Sequence, residues 1–274
     1  MRVCRQRLTQ EGRQGRTVAV VANPTGDLQF AGAEATDIAG LFEERAEARD
    51  GAHAGTLMPK ATVRTLRPAA GTVTILAGAE ATRDAVIAAM SGRQYLHLAC
   101  HGQFHWTDPS ASGLRLASGE WLRIADILSP DVDLGASRLV TLSACETGMT
   151  EFRTMPDEFV GLAGAFLEAG APAVISSLWP VADVSTSLLM AELYSAHLAG
   201  ASPAAALQQA QTWLRQATAR ELGLADRYRR VGPTPAGSHS AASDIARFYE
   251  EHPDTVPFAH PYYWAGFVLT GAGG

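Results

Sequence analysis

Short apolar runs alternate with amphipathic stretches along nearly the whole chain, and most runs end on glycine, proline or a polar cluster. The first, TVAVVAN at 17–23, is rich in valine and stops at Asn23-Pro24-Thr25-Gly26, a turn signature, so it predicts a strand. Residues 33–50 place Ile38, Leu41 and Phe42 at helical spacing with charge on the other side. TVTILAG at 72–78 predicts a second strand, and Val86, Ile87 and Met90 form a helical stripe closed by Gly92. YLHLACHG at 95–102 is strand-like, and LRLASGEWLRI at 114–124 predicts a hairpin turning on Ser118-Gly119, with a short helix around IADIL. SRLVTLSAC (137–145) and APAVISSLW (171–179) read as apolar strands on either side of an amphipathic helix at 157–170 that stops at Gly170. A helix at 185–200 ends on Gly200. Ser202 then suits an N-cap and Pro203 the first position of the next helix, which is expected to run to 220. From 221 to 260 the pattern fades, predicting a long loop with one short helix at 242–251, before WAGFVLTG at 264–271 closes as a strand.

This alternation of strand and helix implies an α/β fold with a mostly parallel sheet covered on both faces. Residues 1–16 are expected to be a flexible lead-in or linker, and 17–274 one domain.

Composition narrows the setting more than the fold. The chain has 274 residues, 47% of them hydrophobic, which is ample for a single core. Lys+Arg 22 against Asp+Glu 28 leaves a formal charge of −6, so no basic surplus marks nucleic acid or an anionic membrane as the main partner. No apolar stretch is long enough for a transmembrane helix, and the charged N-terminal residues lack the apolar core of a secretory signal. Cys4, Cys100 and Cys145 are odd in number, which points to a reducing, cytoplasmic setting where a reactive thiol persists.

The candidate chemistry sits at two strand ends, where open parallel sheets collect functional groups. One carries His101-Gly102 and the other Cys145, followed by Glu146, Thr147 and Gly148. On neighbouring strands these ends lie about 5 Å apart, within reach of an imidazole for a thiol. The thiolate is the attacking species, so cysteine chemistry needs a base that also protonates a leaving amine. It also needs donors for an oxyanion, and the N–H groups of Gly102 and Cys145 are the candidates. On pattern alone two readings of Cys145 stand: a nucleophile, or one of the buried thiols that strands often carry. A zinc site from His97, Cys100, His101 and His105 is a rival. On a strand, however, His97 and His101 lie about 13 Å apart and Cys100 faces the opposite side, which makes Cys100 a core residue.

HLACHGQF at 97–104, LVTLSACETG at 139–148, AGAPAVISSLWPVAD at 169–183 and HPYYWAGFVLTG at 260–271 together resemble the CHAT domain. CHAT domains are caspase-like cysteine proteases of clan CD, related to separases and often fused to tetratricopeptide repeats. The resemblance runs in order from about residue 17 to 271. It implies a caspase-like three-layer sandwich, His101 as general base, Cys145 as nucleophile and no cofactor. It further implies a protein substrate and an activating regulatory protein or tetratricopeptide-repeat region as partner, in a bacterial regulatory or defence pathway, without direct nucleic-acid or membrane contact. The alternative is a catalytically silent interaction module that keeps the fold.

Asp183 closes a W-x-V-x-D stretch similar to one in separases, which implies a carboxylate at the floor of the P1 pocket and cleavage after Arg or Lys. Its competing reading is a cap for a helix beginning at Val184-Ser185. Trp179 reads as core or pocket wall, Asp157 and Glu158 as first-turn helix charges, and His105 and Trp106 as an exposed loop or part of the groove. The long 221–259 segment is expected to be a lid, or a self-processing loop cut at Arg227, Arg229 or Arg230.

Overall fold

The computed structural model describes residues 16–50, 73–105, 108, 111–143, 161–230 and 239–272. Six strands form the central sheet: β1 (Val18–Ala22), β2 (Val73–Ala77), β3 (Tyr95–Ala99), β7 (Leu139–Leu142), β8 (Ala173–Ser177) and β9 (Phe267–Gly271). Their order is β2-β1-β3-β7-β8-β9. The first five run parallel, and β9 pairs antiparallel with β8 at one edge. Between β3 and β7 the chain makes a small antiparallel sheet of β4 (Gly102–Gln103), β5 (Gly113–Arg115) and β6 (Trp121–Arg123).

Both faces of the main sheet are covered, which is why its strands read as continuous apolar runs. On one face Val18, Val20, Tyr95, Leu139 and Ile175 pack with α1 (Ala31–Asp50), α5 (Asp183–Leu198) and α6 (Pro203–Gln216). On the other, Ala19, Val21, Leu96, Leu98, Val140, Leu142 and Val174 pack with α2 (Arg83–Met90), α3 (Ile124–Ile127) and α4 (Leu162–Glu168). Alternate residues of one strand feed the two cores, as the period of two demands. This is the three-layer α/β sandwich expected from the sequence.

The expected cap holds: Ser202 caps α6 through the Ala205 N–H at 3.3 Å with Pro203 behind it. Thr82 caps α2 in the same way, accepting from the Ala85 N–H at 3.4 Å. The β5–β6 hairpin turns on Ser118 and Gly119, both left-handed at φ 57° and 77°, a pair that follows the twist of the strands. Among the described residues no helix is long and apolar enough to cross a membrane.

The expected helix at 242–251 is present as α8 (His239–Glu251), but the 221–260 region also holds an unexpected one, α7 (Leu224–Arg230), which packs on α8 and pairs with α1. Their buried faces are built from Leu224, Tyr228, Ala246 and Tyr249, so aromatic and small residues carry a pattern that aliphatic periodicity does not reveal. Arg227 is paired with Asp37 of α1 at 2.8 Å, and its peptide bonds lie inside a helix. A chain so held is not in the extended form a protease takes, which removes Arg227 as a ready self-processing site. Helix α6 also stops at Gln216, short of 220, because Thr218 and Glu221 start a separate turn.

Candidate active site

The parallel strands bring their carboxyl ends to one edge of the sheet. His101 lies there, two residues past β3, and its Nε2 is 2.9 Å from Oδ1 of Asp27. Asp27 belongs to the loop that leaves β1, the strand beside β3. That loop is tied to β3 by the Asn23 N–H, which donates to the Ala99 carbonyl at 2.9 Å. Asn23 itself is left-handed at φ 47°, and its side-chain oxygen accepts the Leu28 N–H at 3.0 Å. Gly26 follows at φ 79°, a value that a side chain would strain. The Thr25 hydroxyl bonds the Asp27 carboxylate; that bond, with the His101 contact, holds the Asp27 carboxyl below the usual range against the opposing effect of burial. Sequence reasoning passed over Asp27. The available signal was its place directly after a strand end, in a loop of Asn, Pro, Thr and Gly.

Asp183 is the first residue of α5, and its Oδ2 accepts the Phe30 N–H at 2.7 Å. Ala182, not Asp183, holds the N-cap position, and no side chain caps this helix. The carboxylate therefore secures the entrance to α1 rather than its own helix, which corrects the capping reading. Burial pushes the Asp183 carboxyl up from an ordinary 3.8 to about 6, with the Glu34 charge adding and the Phe30 bond and His101 opposing. No Arg or Lys pairs with it among the described residues. Tyr228 of α7 stands close enough for the Asp183 charge to raise its phenol, already pushed up to about 12 chiefly by burial.

Beneath this edge Glu34 and His97 form a fully buried pair, Nε2 to Oε1 2.8 Å, with side-chain exposures of 1% and 0%. His97 packs edge-on against Tyr194, whose hydroxyl donates to Thr141 at 3.0 Å. Cys100 faces the opposite core from His97, as strand alternation predicts, and burial pushes its thiol up to about 12. Trp179 is half-buried; its Nε1 donates to the Tyr262 carbonyl at 3.0 Å, and its ring lies against Gly266, where any Cβ would meet it at 3.0 Å. The His105 N–H donates to Ser112 Oγ at 3.0 Å in the β4–β5 connection.

Gly102 opens β4. The ladder bond from the Arg115 N–H to the His101 carbonyl makes Gly102–Leu114 a non-hydrogen-bonded pair, so the hairpin makes no use of the Gly102 N–H. Cys145 lies outside the described residues, as do Glu146, Thr147, Gly148, Asp157, Glu158 and Trp106.

The family model of the CHAT domain matches residues 1–272. No curated protein matches the sequence. Among solved structures, the Arg-specific cysteine proteinase gingipain R is 10% identical with a TM-score of 0.48, covering 99% of this chain and 51% of its own. The complex of Porphyromonas gingivalis RgpB pro- and mature domains is 12% identical with a TM-score of 0.46, covering 99% of this chain and 52% of its own. The Saccharomyces cerevisiae separase–securin complex is 14% identical with a TM-score of 0.47, covering 77% of this chain and 12% of that one. The chain thus spans about half the length of the gingipain structures and a small part of separase.

Proposed function

Because the chain belongs to the CHAT domain family, we propose that it is a cysteine endopeptidase in which His101 and Cys145 form the working dyad. The carrying observation is the register of the two strands that precede them. Leu98 of β3 pairs with Leu142 of the neighbouring parallel strand β7, and His101 and Cys145 each follow three residues later in the sequence. Equal offsets from a paired position favour the two side chains emerging side by side.

In this reading His101 takes the thiol proton, and the Cys145 thiolate attacks the scissile carbonyl. The Gly102 and Cys145 N–H groups bind the oxyanion; the freedom of the Gly102 N–H from its hairpin supports this. His101 then returns the proton to the leaving amine, and water releases the acyl group from sulfur.

Asp183 forms the floor of the P1 pocket and selects Arg or Lys. A half-buried carboxylate with no cationic partner among the described residues, close to His101, supports that assignment. The substrate is a protein, and an activating partner, either a tetratricopeptide-repeat region or a separate protein, controls the enzyme in a bacterial regulatory or defence pathway.

Peptide libraries with Arg, Lys or Asp at P1, run beside Cys145→Ala and Asp183→Ala, test the proposal. Turnover of basic substrates that Cys145→Ala abolishes is the expected result, with Asp183→Ala losing the preference for basic P1. Absence of cleavage and of Cys145 labelling by acyloxymethylketones, with candidate partners present, would refute it in favour of a silent interaction module.

A further inference from the structure

Asp27 has no part in a two-residue mechanism, yet its carboxylate holds the base. The contact joins Nε2 of His101 to Oδ1 at 2.9 Å across 74 residues of sequence. The Asp27 carboxyl titrates below the usual range, so near neutral pH it is ionised. An ionised carboxylate only accepts hydrogen bonds, so the proton of this bond belongs to the imidazole Nε2. In the neutral ring the other nitrogen, Nδ1, is then bare and is the one able to take a proton.

The loop around Asp27 is built to present it. Asn23 is anchored to β3 at Ala99 and folds the chain back through its own side-chain bond to Leu28. Gly26 supplies the left-handed turn, and the Thr25 hydroxyl takes up part of the Asp27 carboxylate. Three independent devices thus aim one carboxylate at one ring nitrogen.

We propose that Asp27 is the positioning residue of His101, fixing the ring in the Nε2–H tautomer so that Nδ1 is the nitrogen left to accept a proton. The proposal rests on the peptidase reading above and extends it from a dyad to an Asp–His–Cys arrangement. Asp27 touches no reacting atom; it keeps its charge throughout and steadies the imidazolium that forms when His101 accepts the thiol proton. Both side chains are partly open to water, 38% exposed for His101 and 56% for Asp27. The contribution is therefore smaller than the ~10⁴-fold loss that Asn in place of a buried triad carboxylate causes by favouring the wrong tautomer.

The test compares the wild type with Asp27→Ala and Asp27→Asn. For a basic peptide, Asp27→Ala is expected to lower kcat by roughly 10- to 100-fold with KM within about threefold, at an unchanged melting temperature. Asp27→Asn, whose amide can donate to Nε2 and so favour the opposite tautomer, is expected to lose at least as much as Asp27→Ala. A second readout needs no turnover: ¹⁵N chemical shifts of the His101 ring. Wild type should show protonated Nε2 and bare Nδ1, and Asp27→Ala a mixture of tautomers. Wild-type kcat in Asp27→Ala, or an undisturbed Nε2–H tautomer without Asp27, would overturn the proposal. A wild type that cleaves nothing would sink the peptidase reading instead, while the ring shifts still decide whether Asp27 sets the tautomer.

Discussion

Replacing Asp183 by Asn should stabilise the protein at neutral pH while removing the charge proposed to select basic residues. The carboxyl is pushed from 3.8 to about 6, chiefly by burial, so its ionised form is held in the folded state at a cost. Two units at 1.36 kcal/mol each correspond to about 3 kcal/mol between the folded chain and an unfolded chain titrating normally. A folded value above the unfolded one means that the folded chain binds more protons between pH 4 and 6. Wild-type stability therefore falls as pH rises through that window and is level, as far as this group is concerned, above it. Asn keeps an oxygen for the Phe30 N–H and loses the second backbone bond from Gln29, a loss of about 1 kcal/mol. The variant should thus be slightly less stable than wild type near pH 4 and about 1–2 kcal/mol more stable at pH 7.5. Urea denaturation of both proteins at pH 4.5, 6 and 7.5 measures the difference. A gap that stays constant across that range, or a variant less stable at pH 7.5, would refute the buried-charge argument. The same titration should appear in function: wild-type kcat/KM for an Arg substrate, relative to a neutral one, is expected to decline as pH drops through about 6.

Other consequences follow from the buried groups and the tight turns. His97→Ala leaves the Glu34 carboxyl without its partner at 1% exposure, and should cost about 3–5 kcal/mol in urea denaturation; a loss under 1 kcal/mol would mean the pair contributes little to the fold. Cys100, with its thiol at about 12 and 2% exposed, should escape iodoacetamide in the native protein, as peptide mass mapping would show; alkylation before unfolding would contradict its place in the core. Gly271→Ala should cost about 2–4 kcal/mol, because its backbone is left-handed at φ 99° and a Cβ would collide with the Pro172 carbonyl. A melting temperature equal to wild type would show that β9 can shift at no cost.

What the sequence determined by itself was local. Side chains alternate along strands, so β1, β3, β7 and β8 announced themselves as apolar runs, and their ends marked His101 and the position of Cys145. Caps and turns depend on a few adjacent residues, so Ser202-Pro203 and Ser118-Gly119 were legible where they stand. Helix α7 was not, because Tyr228 packs on Tyr249 of α8 without a regular aliphatic stripe. Tertiary structure alone decided the partners. Asp27 meets His101 only because β1 lies beside β3 in the sheet, although β2 follows β1 in the chain. Asp183 holds Phe30 from 153 residues away because α1 and α5 pack on the same face. Strand order and helix layering are set by how crossovers bury surface across the whole domain, and no short stretch of sequence records that choice.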